Sequence, residues 1–114
     1  MKDLDIFMER LRSDDRQARH EAVSALAECS DEGVVSTMAG LLSDKDPLIR
    51  DVAYNALCSS PFKGAVAEAV VPLVYKKDDV GLRNTAVEIL YGLGLFAFEV
   101  AKRFLSEDDE DILK

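Results

Sequence analysis

The sequence predicts an all-α fold, a right-handed solenoid of about three helical-hairpin repeats with a half repeat at the N-terminus. Three observations predict it. First, three segments align without gaps: Asp15 to Leu26, Asp46 to Leu57 and Asp79 to Leu90, with Asp, Arg, Ala and Leu recurring in register. The arginines fall at 19, 50 and 83, so the steps are 31 and 33 residues. Second, each segment is followed by a second apolar stretch of helical length. Third, Ser, Gly and Pro mark the loops that join the two helices of each unit.

The elements follow in chain order. Leu4, Phe7, Met8 and Leu11 form a helical stripe and read as the second helix of a half repeat over residues 1–13. The first full repeat spans 14–44. Its first helix places Ala18, Ala22, Ala25 and Leu26 on one face, and its second runs from Val34 to Leu42. The second repeat spans 45–77. Pro47 suits the first helical residue, and Pro72 is expected to bend or shorten the helix from Val66 to Tyr75. The third repeat spans 78–107, with a loop at Tyr91 to Gly94 and a second helix from Phe96 to Leu105. Residues 108–114 read as the opening of a truncated fourth unit, the whole of 1–114 being one domain. Asp15, Asp46 and Asp79 precede the three first helices, where a carboxylate caps backbone N–H groups and meets the positive end of the helix dipole.

This pattern resembles HEAT repeats, in particular the short HEAT-like repeats also found in phycobilisome lyases. Asp46, Ile49-Arg50, Ala53 and Ala56-Leu57 match the family pattern most fully, and Val70-Val71-Pro72-Leu73 matches its Pro-bearing second helix. The resemblance implies that the Arg-bearing helices line a concave face. It also implies that the variable positions on that face are His20, Glu21 and Ser24, then Asp51, Val52 and Asn55, then Asn84, Thr85 and Glu88. Stacked units would align these as three polar, mildly acidic rows.

Composition narrows the function. Lys and Arg total 14 against 22 Asp and Glu, a formal net charge of −8. A duplex-wide nucleic-acid binder or an anionic-membrane binder needs the opposite surplus. Partners with basic surfaces suit this balance. Two cysteines, Cys29 and Cys58, are too few for a disulfide framework. Both are expected as buried small side chains. The N-terminus has acids where a signal peptide needs an apolar run, and a cytoplasmic location is the expectation.

Individual residues carry little chemistry. The repeated Arg and Asp pairs serve stacking, with Arg reaching a carboxylate or carbonyl of a neighbouring unit. His20-Glu21 resembles the His-Glu pairs with which deoxyhypusine hydroxylase holds two irons. However, the equivalent positions here are Asp51-Val52 and Asn84-Thr85, so no metal and no cofactor is expected. Phe62, Phe96, Phe98 and Phe104 are expected in the core, with Phe98 and Tyr91 open to exposure at the truncated end.

The expectation is therefore a non-catalytic scaffold that binds a partner protein or basic peptide on its concave helical face. His20, Glu21, Ser24, Asp51, Asn55, Asn84, Thr85 and Glu88 would supply hydrogen bonds and charge, with Tyr54 and Tyr91 as edge anchors. The alternative is a subunit of a bilin lyase or isomerase-like enzyme. A DNA-binding or base-excising reading ranks last because of the acidic charge. Self-association through an uncapped C-terminal end is a further expectation.

Overall fold

The computed structural model of the protein describes residues 2–29 and 31–103. Every regular element among these residues is helical. The chain divides into two compact units, Met1–Pro61 and Phe62–Lys114. The boundary falls between the two helices of the second repeat.

The first unit holds α1 (Lys2–Arg10), α2 (Arg16–Ala27), α3 (Gly33–Leu41) and α4 (Pro47–Ser59). Helix α2 packs against both α1 and α4, and α3 packs on α4. Two-sided packing widens the apolar stripe of α2. Ala22, Val23 and Leu26 are buried, whereas Ala18 and Ala25 are only half-buried. Val34, Val35, Met38 and Ala39 of α3, together with Ile49, Ala53 and Leu57 of α4, complete this core. Each buried Leu, Ile, Val or Met contributes about 1.5–3 kcal/mol of transfer free energy. The closeness of the helices depends on small residues in the seams, since Ala22 and Ala53 are fully enclosed.

The second unit holds α5 (Lys63–Val70), a 3-10 turn (Val71–Tyr75), α6 (Val80–Leu93) and α7, described over Leu95–Arg103. Pro72 acts as expected. Its ring nitrogen cannot donate to an i−4 carbonyl, so α5 stops at Val70 and the chain tightens into the 3-10 turn. Val66, Ala67, Val70 and Val71 pack with Leu82, Ala86, Ile89, Leu93 and Val100.

The expected loop at Tyr91 to Gly94 is much shorter in the structure. Helix α6 continues through Leu93, and Gly94 alone makes the corner with φ +59° and ψ −116°. The chain turns there by 118° between α6 and α7. Only glycine adopts this backbone without strain.

One aromatic side chain of α7, Phe96, also departs from expectation. Phe96 and Phe98 are exposed. The inward face of α7 is made by Ala97, Val100 and Ala101, at helical spacing, which leaves the phenylalanines on the outer flanks. Lys102 places its Nζ 5.5 Å from the centre of the Phe98 ring, a cation–π contact. Phe62 is half-buried ahead of α5. Phe104 and the start of a truncated repeat at 108–114 lie outside the described residues.

The cysteines are not both buried. Cys58 is exposed, and Cys29 is half-buried. Cys58 follows the core residue Leu57 and so turns to the outer side of α4. The Cys29 thiol donates to the Ala25 carbonyl at 3.4 Å.

Candidate functional site: the polar ends of α2 and α4

All three recurrent aspartates cap their helices. Asp15 accepts from the Gln17 N–H at 3.2 Å, Asp46 from Leu48 at 3.0 Å and Asp79 from Leu82 at 3.0 Å. The first two sit in extended backbone, as a capping residue must to aim its side chain at the opening turn.

Asp46 does more than cap. Its Oδ2 accepts from Arg16 Nε at 2.9 Å and from His20 Nε2 at 2.6 Å, and Arg16 Nη2 donates to Oδ1 at 3.4 Å. Arg16 and His20 are four residues apart on α2, so they share a face and close on the same carboxylate. Contact with an ionised carboxylate requires His20 Nε2 to carry the hydrogen. Asp46 is buried, at 8% exposure. The hydrogen bonds from Arg16 and then His20 hold its carboxyl well below the usual carboxylate range; burial opposes this, while the Leu48 N–H and the Arg16 charge add to it. The same hydrogen bond and charge raise the Arg16 pKa.

A second polar link lies beside the first. Arg19 donates from Nε to the Leu11 carbonyl at 3.1 Å and pairs through Nη2 with the Asp44 carboxylate. Asp44 also accepts the Asp46 N–H at 2.9 Å, and its carbonyl accepts from Arg50 Nη1 at 2.8 Å. Ser13 stands two residues before Asp15 as Asp44 stands before Asp46, and its hydroxyl likewise accepts the Asp15 N–H at 3.0 Å.

These ends of α2 and α4 border an open cleft of about 620 Å³. Its walls include Leu11, Ser13 and Pro47, with the charged side chains of Arg12, Arg16, Arg19, Lys45, Asp14 and Asp46.

The residues named from sequence fall into two groups. On the first unit, Glu21, Ser24, Asp51 and Asn55 are exposed, while His20 is half-buried and bound to Asp46. Glu21 accepts from Gln17 Nε2 at 3.1 Å. Tyr54 is half-buried. On the second unit, Asn84 and Glu88 are exposed, and Thr85 is half-buried with its hydroxyl donating to the Gly81 carbonyl at 3.0 Å. Tyr91 is 90% exposed. Sequence reading missed Arg16 and Asp44. The signals were present: Arg16 lies one helical turn before His20, and Asp44 lies two residues before a capping aspartate. Among the described residues no three His, Cys, Asp or Glu side chains converge to hold a metal ion.

The profile of a family described as HEAT repeats matches residues 4–91. The chain belongs to the HEAT-repeat family. The match starts in α1 and ends in α6, so it covers the half repeat, two whole repeats and the first helix of the third. HEAT repeats are α-solenoid units that commonly mediate protein–protein contact, generally without catalysis. In this HEAT-repeat chain Arg19, Arg50 and the three aspartates of the motif serve the internal links just described. No curated protein matches the chain. Among the described residues, no single helix is long and apolar enough to cross a membrane.

Proposed function

We propose that the chain is a non-catalytic scaffold of the cytoplasm that binds a partner protein, or a basic segment of one, through the variable positions of its Arg-bearing helices. The observation that carries this reading is the division of labour on α2 and α4. Ala22, Val23, Leu26, Ile49, Ala53 and Leu57 face the core. Arg19, Arg50 and Asp46 are engaged inside the unit. Glu21, Ser24, Asp51 and Asn55 are exposed and belong to neither set. Asn84, Thr85 and Glu88 extend the proposal to α6. His20 contributes through whichever part of its ring Asp46 leaves open. The net charge of −8 favours a basic partner.

The test is affinity capture with the wild type beside a Glu21→Lys, Asp51→Lys variant, followed by titration of the captured protein. Both positions are exposed, so the variant keeps its fold. Binding by the wild type and a loss of at least about tenfold in the variant, on the scale of like-charge juxtaposition at an interface, is the expected result. Equal affinity for both would remove the site from these helices.

A further inference from the structure

The cleft at the beginnings of α2 and α4 runs against the charge of the molecule. The whole chain carries −8, yet the cleft is lined by four cations, Arg12, Arg16, Arg19 and Lys45, against two acids, Asp14 and Asp46. The two acids differ in state. Asp46 is already spanned by Arg16 and His20, so its charge is locally answered. Arg19 is likewise committed, to Asp44 and the Leu11 carbonyl. What remains is Arg12 and Lys45, both exposed and without a side-chain partner among the described residues, and the outer edge of Arg16, which is 66% exposed despite its bond to Asp46.

We infer that this cleft is a docking site for an acidic peptide segment of a partner protein, with Arg12 and Lys45 as the residues that receive its carboxylates and Arg16 as a fixed third donor. The inference is separate from the binding face proposed above and calls on none of its exposed residues. An open cleft of about 620 Å³ admits a few side chains rather than a buried small molecule. Arginine suits a carboxylate because its fork donates two parallel N–H bonds. Asp46 holds Arg16 in place, which lowers the ordering cost of a further contact. The surroundings limit the occupant. Asp5 and Glu9 border a second depression that Arg12 also lines, and Asp14 lies in the cleft itself. A long polyanion such as a nucleic acid would run onto these acids, whereas a short acidic segment can sit between Arg12 and Lys45.

The experiment is fluorescence anisotropy with a labelled peptide of the sequence of residues 106–114, which carries five consecutive acids from Glu107 to Asp111, and with its Asn/Gln counterpart. The proteins are the wild type, Arg12→Glu with Lys45→Glu, and Lys76→Glu with Lys77→Glu. The last variant makes the same change of net charge at exposed lysines far along the chain. The proposal expects saturable binding of the acidic peptide by the wild type and the Lys76/Lys77 variant. It expects at least about tenfold weaker binding by the Arg12/Lys45 variant, and weakening with salt because the pairs are exposed. Equal loss in both variants, or equal binding of the neutral peptide, would overturn it. So would tighter binding of a short oligothymidylate. Sedimentation of the wild type separates one more case: self-association that disappears in the Arg12/Lys45 variant would replace the partner protein with a second copy of this chain.

Discussion

The first and second units carry the same motif and wire it differently. In the first, the motif arginines reach outside their own helix: Arg19 to Leu11 and Asp44, Arg50 to the Asp44 carbonyl. In the second, Arg83 makes no side-chain hydrogen bond or ion pair among the described residues, although Asp79 caps α6 as its counterparts do. The cap is local, because donor and acceptor lie within one turn. The arginine link is not. Arg19 finds its carboxylate two residues before the next capping aspartate, at Asp44, whereas the corresponding place one repeat on, after Arg50, is Lys77. A cation cannot accept. The difference teaches that a repeated Arg announces a fold but not a ladder.

Five substitutions test that contrast. The largest effect is expected for Ala53→Asp. It puts a carboxylate into a seam where Ala53 has no exposed surface, and a loss of about 3 kcal/mol or more is expected from a buried charge without a partner. Thermal melting followed by circular dichroism would show it; an unchanged melting temperature would mean that the helix faces are misassigned. Asp44→Lys gives the first unit the residue found at the corresponding place in the second repeat. It removes the Arg19 pair and the acceptor for the Asp46 N–H, and about 2 kcal/mol of stability should go with them.

Asp46→Asn keeps the cap and removes the charge, so its effect depends on pH. The folded state holds the Asp46 carboxyl below its usual value, and the unfolded value is about 4. The charge therefore stabilises the protein fully above about pH 4 and less as pH falls further. Wild type should melt higher than the variant at neutral pH, and the gap should close below about pH 4. A gap independent of pH would show that the charge plays no part. Smallest is Arg83→Met, expected to fall within about 0.5 kcal/mol of wild type, whereas Arg19→Met should cost about 1–2 kcal/mol. Equal losses from the two would erase the contrast between the units.

Much of the fold was legible because it rests on local rules. Helical spacing placed six of the helices to within a few residues, Asp before an apolar stripe marked the caps, and Pro72 marked the end of α5. The corner at Gly94 was read too long, since Tyr91 and Gly92 look like loop residues until a single glycine at positive φ suffices for the turn. Phe96 was misplaced for a related reason. On α7, two faces carry apolar residues, and only packing decides that the smaller ones, Ala97, Val100 and Ala101, turn inward.

The candidate site was legible in outline only. Sequence register identified exposed positions such as Glu21 and Asp51. It could not show that His20 is held by Asp46, because that contact joins residues 26 apart in sequence. Nor could it show that Arg12 and Lys45 border one cleft, since each belongs to a different turn.

The turn ahead of α4 has a further consequence for how the molecule comes apart. Asp44 and Asp46 together hold Arg16, Arg19 and His20 of α2 while starting α4. Opening the first turn of α4 thus releases three side chains of a different helix. Such coupling makes α2 and α4 a single cooperative unit of local unfolding. Their central amides should exchange with solvent at a common rate, and α1, tied to α2 through the Leu11 carbonyl alone among these side-chain links, should fray first.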